Sequence, residues 1–170
     1  MAEGLSLFDS ERVNIEAGQA WTAARSASDE QAARLCNEYP NAGAYILSLR
    51  QYPRDSIRWL EVALRAARKL GNRQSEGNRL GSLGLAYAKL NEIRKAIDYY
   101  GKALTISREL GGRRGEGNSL GNLGLAYFRL GETEKAIEFM KAALKILEEI
   151  ESPNANIVRG WLEKLRGENE

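Results

Sequence analysis

One stretch of 40 residues occurs twice in tandem. Gly71–Leu110 (GNRQSEGNRLGSLGLAYAKLNEIRKAIDYYGKALTISREL) is followed at once by Gly111–Ile150 (GGRRGEGNSLGNLGLAYFRLGETEKAIEFMKAALKILEEI), and 21 of the 40 aligned positions are identical without a gap. A fixed period of this size signals stacked supersecondary units, each unable to bury its apolar face alone. A chain built this way is expected to be an all-α solenoid. Its function has to be read from the surface the stack presents.

Each unit divides into two amphipathic helices. The first is expected over 74–90, where Leu80, Leu83, Tyr87 and Leu90 recur at helical spacing. The second is expected over 93–110, with Ala96, Ile97, Tyr100, Ala103, Leu104 and Ile106 on its apolar side. Asn91 and its counterpart Gly131 mark the turn between them, because both residue types tolerate the left-handed conformation. So short a connection makes the two helices antiparallel neighbours. Gly81, Gly84, Gly121 and Gly124 sit inside the first helix, each costing about 1 kcal/mol relative to alanine. Their recurrence in step predicts a neighbouring helix too close for a Cβ, with Ala96, Ala103, Ala136 and Ala143 as the facing residues.

Residues 1–8 read as a loose lead-in. Val13, Ala17, Ala20, Trp21 and Ala24 then follow steps of three and four, the pattern of a helix burying one stripe. Ser28 with Gln31 forms a capping box that opens a second helix through Ala32, Ala33, Leu35 and Cys36. Pro40 kinks that helix or stops it, to restart at Asn41. Pro53 suits the first turn of the next helix, which carries Ile57, Leu60, Ala63, Leu64 and Ala67 and ends at Gly71. After the repeats, Ser152-Pro153 opens a last helix with Val158, Trp161, Leu162 and Leu165 on one face, and Trp161 reads as the anchor of a cap on the open end. The expected organisation is a lead-in and helix over 1–28, a degenerate helix pair over 29–70, repeats over 71–110 and 111–150, and a capping helix with tail over 151–170.

The chain has no histidine and one cysteine. Zinc sites of the Cys/His type and Ser-His-Asp or Cys-His nucleophiles cannot be assembled from it. No carboxylate spacing suggests another catalytic or metal site, so no catalysis, cofactor or metal is expected. Cys36 is expected in the core. The glycine-rich run from Gly111 has no G-K-[ST], and Gly115-x-Gly117-x₃-Gly121 misses the dinucleotide spacing by one, so repeat packing explains it better. No apolar run approaches the ~20 residues that span a bilayer, and the N-terminal MAEGLSLFDSERV has neither a basic leader nor an apolar segment. With the single cysteine, these features lead to an expectation of a cytoplasmic protein without membrane association. The formal net charge of +2 is uneven, at −4 over 1–49, +9 over 50–114 and −3 over 115–170. A basic middle attracts acidic peptides or nucleic acid, although solvated helix faces are the plainer account.

The repeats match a known pattern. Leu80-x₂-Leu83-Gly84-x₂-Tyr87…Ala96-x₃-Tyr100 and Leu120-x₂-Leu123-Gly124-x₂-Tyr127…Ala136-x₃-Met140 resemble the tetratricopeptide repeat, W-x₂-L-G-x₂-Y…A-x₃-F. Leucine replaces the tryptophan, Met140 replaces an aromatic residue, no proline ends the second helix, and the period is 40, against about 34 in the pattern. This longer variant resembles the Leu-Gly-Asn-rich repeats of animal G-protein scaffolds and the repeats attached to bacterial STAND-type NTPases. The resemblance implies a right-handed superhelix of antiparallel helix pairs with a C-terminal capping helix. A second resemblance covers 9–70: Glu11-x₂-Asn14-Ile15-x-Ala17…Trp21 and Trp59-Leu60-Glu61-x-Ala63-Leu64 are similar to the segment that opens the sensor region of STAND-type regulators. It makes 29–70 a degenerate repeat in which Leu47, Ile57, Ala63 and Leu64 sit 40 residues before Tyr87, Ile97, Ala103 and Leu104.

Between the packing residues lies a second face. Asn78, Ser82, Leu85 and Lys89 follow i, i+4, i+7, i+11, and Asn118, Asn122, Leu125 and Arg129 repeat them, with Phe128 alongside. In tetratricopeptide proteins this helix lines a concave groove, so the resemblance implies that these residues hold a protein or peptide segment. The amides would pair with its backbone, Lys89 and Arg129 with carboxylates, and Leu85, Leu125 and Phe128 with apolar side chains. The expected function is a non-catalytic protein-interaction module, the sensor or scaffold part of a signalling regulator. Self-assembly without a separate ligand is the alternative, and acidic-ligand or nucleic-acid binding by the basic middle is the third.

Overall fold

A computed structural model of the chain describes residues 2–38 and 53–167. Pro40, Asn41 and Leu47, on which the helix interruption and one position of the degenerate repeat rest, lie outside the described residues. Every regular element among the described residues is an α-helix: α1 (Ala2–Arg25), α2 (residues 30–38), α3 (Pro53–Lys69), α4 (Arg73–Lys89), α5 (Ile93–Glu109), α6 (Arg113–Arg129), α7 (Thr133–Glu149) and α8 (Asn154–Gly167). The chain forms two compact units, Met1–Arg79 and Leu80–Glu170, with the boundary inside α4.

In the first unit α1 begins at Ala2, so the expected lead-in is already helical. The stripe of Val13, Ala17, Ala20, Trp21 and Ala24 is helical but faces outward, with Val13 77% exposed. Among the described side chains of α1, the buried ones are instead Gln19 and Thr22. Thr22 Oγ1 donates to the Gln19 carbonyl at 2.9 Å, so the hydroxyl leaves water without losing a partner. Trp21 keeps a surface partner, the Arg25 guanidinium 4.6 Å from its ring centre.

The cap of α2 is Asp29, not Ser28. Asp29 Oδ1 accepts from the backbone N–H groups of Gln31 (2.8 Å) and Ala32 (3.1 Å), and a carboxylate also meets the positive end of the helix dipole. Ser28 Oγ turns back to donate to the Arg25 carbonyl. Ala33 and Cys36 pack on Ala66 of α3, while Leu35 points away. Burial pushes the Cys36 thiol pKa up against the opposing effects of a hydrogen bond with Thr22 and the charge of Arg65. A thiol held in its protonated form at this depth is a core residue, as expected.

A charged clamp then joins α3 to the first turn of α4. Arg68 Nε donates to Glu76 Oε1 at 2.8 Å and Arg73 Nη1 to Oε2 at 2.5 Å, with Glu76 only 7% exposed. One period later Arg108 and Arg113 hold Glu116 in the same way at 2.9 and 3.0 Å, and Arg113 also reaches Glu149. The clamp spaces a helix end from the next helix start, a role invisible to an apolar-periodicity reading.

In the second unit the helices pack as antiparallel neighbours. Tyr87 stacks on Tyr99 and Gly84 faces Tyr100, one residue number rising as the other falls. Tyr127 stacks on Phe139, Gly124 faces Met140 and Gly117 faces Leu147 in the next pair. One core runs from α5 to α8 through Tyr100, Leu123, Met140, Leu147 and Leu165, each at most 3% exposed. Side chains of this size each stabilise by roughly 1.5–3 kcal/mol when fully buried. On α8, Ala155, Val158, Leu162 and Leu165 are the buried stripe, and Trp161 stands at its edge.

The close-approach expectation holds for half of the glycines. A Cβ at Gly84 would lie 2.5 Å from the Tyr100 ring, and one at Gly124 would lie 2.5 Å from Met140 Cγ. The facing groups are the motif's large residues rather than the four alanines, apart from the Ala136 carbonyl at 3.1 Å from Gly124. A Cβ at Gly121 would make ordinary contact with Val158 at 3.5 Å and Ala143 at 3.9 Å, and one at Gly81 would meet nothing within 4 Å. Packing accounts for the second glycine of each pair, not the first.

The ends of α3 to α7 share one geometry. Gly71, Asn91, Gly111, Gly131 and Glu151 all have positive φ, between 51° and 77°. At each, its own N–H and the following one close back onto the last turn, as in Asn91 to Ala88 and Glu92 to Tyr87. Glu151 is the one position in this set where the side chain lacks any advantage in the left-handed region, and its Cβ costs about 1–2 kcal/mol there. Glu151→Gly is therefore expected to raise stability by about 1 kcal/mol, less than the full strain because glycine also gains unfolded-state entropy. A urea midpoint that fails to rise would show that the turn tolerates the side chain without strain.

Candidate functional site

Two adjoining clefts open on the second unit. One, of about 300 Å³, is bounded by Leu85, Asn118, Asn122 and Leu125 together with Ile157 and Trp161 of α8. The other, of about 490 Å³, is bounded by Lys89, Phe128 and Arg129 with Tyr100 and Ala88. Leu85, Asn122, Leu125 and Trp161 line both. The i, i+4, i+7, i+11 spacing brings the α6 residues to one face because that path nearly closes whole helical turns. Seven of the nine residues expected from the sequence therefore border these clefts. Ser82, partly buried in the second unit, does not line them, and Asn78 belongs to the first unit, where its amide oxygen accepts from Gln74 Nε2 at 3.2 Å.

The expected chemistry is not uniform across these residues. Among the described residues, Lys89 forms no ion pair and the Asn122 amide no hydrogen bond, and both reach solvent. Arg129 is engaged. It donates from Nη1 to the Ala88 carbonyl at 2.8 Å and from Nη2 to Asn91 Oδ1 at 3.3 Å, so the guanidinium caps the C-terminus of α4, where a cation is favoured. Asn118 is engaged too, its Oδ1 accepting from Asn154 Nδ2 of α8 at 2.9 Å. The Phe128 ring meets Trp161 with centroids 6.3 Å apart and planes tilted by 54°. Tyr100 closes the larger cleft from below, and burial pushes its pKa up to about 12 although Arg129 opposes the shift. Its phenol stays neutral and supplies shape rather than charge.

Ile157 and Trp161 are the site residues that a 40-residue period misses. The buried residues of α8, Ala155, Val158, Leu162 and Leu165, fall 40 residues after Gly115, Asn118, Asn122 and Leu125, none of which is buried, so the repeat register does not carry into α8. Ile157 is 60% exposed and Leu85 49% exposed, two large apolar side chains presented beside one cleft. Trp161 thus anchors α8 and also forms a cleft wall. Among the described residues no His, Cys, Asp or Glu side chains gather into a group able to hold a metal ion, and no helix is long and apolar enough to cross a membrane.

Tetratricopeptide repeat family models match residues 79–110 and 95–149. Response regulator aspartate phosphatase A of Bacillus subtilis (strain 168) is 39% identical over 69 residues, 41% of this chain and 18% of the phosphatase. The matched stretch is therefore less than a fifth of that protein's length. The crystal structure of BtubC (BKLC) from P. vanneervenii superposes with a TM-score of 0.77 at 18% identity, over 95% of this chain and 66% of that one. A Signal Transduction ATPase with Numerous Domains (STAND) protein with a tetratricopeptide repeat sensor, from Pyrococcus horikoshii, gives 0.63 at 23% identity, over 79% of this chain and 19% of that one. At such identities the two structures speak for the fold alone. Residues 79–149 are tetratricopeptide repeats, and the chain has the all-α solenoid fold of that repeat.

Proposed function

We propose that the chain is a non-catalytic protein-interaction module that holds a peptide or protein segment across the paired clefts, as the sensor or scaffold part of a signalling regulator. The observation that carries this reading is the juxtaposition of Lys89 and Asn122, without side-chain partners among the described residues, with an apolar floor that continues under both clefts. Such a surface binds a segment through backbone hydrogen bonds and one carboxylate while burying its apolar side chains. The helices that shape it are fixed by their own core, so binding needs little rearrangement. The likeness to part of a response regulator aspartate phosphatase supports the signalling role.

Fluorescence anisotropy with a set of labelled acidic peptides tests the reading. Asn122→Ala and Lys89→Ala are each expected to weaken the peptides that bind by roughly three- to tenfold, the worth of one amide or one charge-assisted hydrogen bond. Arg129→Ala is expected to lower stability instead, by about 1 kcal/mol, because it releases the end of α4. Equal affinities for wild type, Asn122→Ala and Lys89→Ala would remove the groove from the account.

A further inference from the structure

The smaller cleft is lined by two glycines, of which the core requires one. Gly117 and Gly121 of α6 lie at its base. A Cβ at Gly117 would run into Leu147 at 2.8 Å, so that glycine is needed by the core. A Cβ at Gly121 would instead rest on Val158 and Ala143 at ordinary contact distances. Alanine therefore fits at 121 and favours the helix, yet the position is left hollow. Around the hollow stand Ile157, Leu85 and Trp161, apolar groups that remain open to solvent. The second cleft, which shares Leu85, Asn122, Leu125 and Trp161 with the first, has Lys89 in its wall.

We infer that the hollow over Gly121 is a side-chain pocket for one bulky apolar residue of a peptide whose carboxylate, further along the segment, pairs with Lys89. The inference rests on the groove reading above and adds its specificity. The cleft walls of Leu85, Ile157 and Trp161 select a large aliphatic or aromatic side chain by the area they cover. The Lys89 cation in the adjoining cleft makes the occupant acidic by charge complementarity. A segment with alanine at the seated position leaves the walls wet and binds weakly.

The probe is a set of fluorescein-labelled octapeptides with Trp, Leu or Ala at a central position and Asp or Glu at varied spacing from it. Wild type is expected to bind the Trp or Leu peptides at least about tenfold more tightly than their Ala counterparts. Gly121→Ala is expected to fold with an unchanged or raised melting temperature and to lose about that tenfold preference, because its methyl occupies the floor. Ile157→Ala reduces the preference in the same direction by opening one wall. If Gly121→Ala retains the preference while Lys89→Ala and Asn122→Ala weaken binding, the pocket is overturned and the groove stands. If no peptide of the set binds wild type, both fall. A concentration-dependent dimer that Gly121→Ala dissolves would give the pocket to a second copy of the chain and overturn the peptide assignment.

Discussion

Gly124→Ala is expected to destabilise the second unit by about 2 kcal/mol, after subtracting the roughly 1 kcal/mol that alanine gains in a helix. The new Cβ would meet Met140 Cγ at 2.5 Å, and behind it two backbone atoms, the Ala136 carbonyl oxygen at 3.1 Å and Met140 N at 3.3 Å. Methionine can swing aside, being unbranched and adaptable. The backbone of α7 cannot, so α6 and α7 must separate, and the whole core between them loses contact. Gly84→Ala presents the other case, since the atoms it meets all belong to the Tyr100 ring. Adding Tyr100→Leu should therefore relieve Gly84→Ala, whereas adding Met140→Ala should leave most of the Gly124→Ala penalty in place. Gly121→Ala supplies the control, with an expected gain of up to about 1 kcal/mol. Urea midpoints at constant slope measure all of these. A Gly124→Ala midpoint equal to that of Gly121→Ala would sink the close-approach account.

The same comparison shows what was legible in the sequence. Repetition gave the helix pairs, their antiparallel packing and the turns at Asn91 and Gly131, because these depend on local spacing and on φ, which a residue type reveals directly. It did not separate Gly84 and Gly124 from Gly81 and Gly121, since a repeated glycine looks the same whether a neighbour or a hollow demands it. Direction was also hidden in α1, where helical spacing was correct but Gln19 and Thr22, rather than Val13 and Trp21, turned inward. The clefts were half legible. Asn122, Leu125 and Lys89 followed from register, while the engagement of Arg129 and Asn118 depended on Ala88, Asn91 and Asn154, partners 36 to 41 residues away in the chain. Ile157 and Trp161 were hidden because the repeat register does not carry into α8. The charged clamp around Glu76 was missed because none of its members is apolar.

That clamp supplies the second large effect. Glu76→Gln is expected to cost about 1–2 kcal/mol at neutral pH, the scale of hydrogen bonds to a charged group. Arg68 and Arg73 are about half exposed, so water screens their side of the pairs and holds the cost to that range. Burial alone would raise the Glu76 pKa, but the hydrogen bonds and charges of Arg68 and Arg73 together outweigh it and hold the carboxyl below its ordinary 4.5. A carboxylate with a lowered folded-state pKa contributes stability that is fully present above the unfolded value and lost as pH falls through the folded one. Wild type should thus lose its advantage over Glu76→Gln below about pH 4.5, while the variant, which has no proton to take up there, keeps a constant contribution from that site. Glu116→Gln is expected to show a smaller penalty, because Glu116 sits at longer distances from its arginines and Arg113 is shared with Glu149. Urea midpoints of wild type and both variants between about pH 3 and about pH 7, a range that spans the titration of a carboxylate, give the comparison. A wild-type advantage over Glu76→Gln that persists undiminished at the acid end would mean that the side chain acts through its shape, and that the two arginines contribute no electrostatic hold on the start of α4.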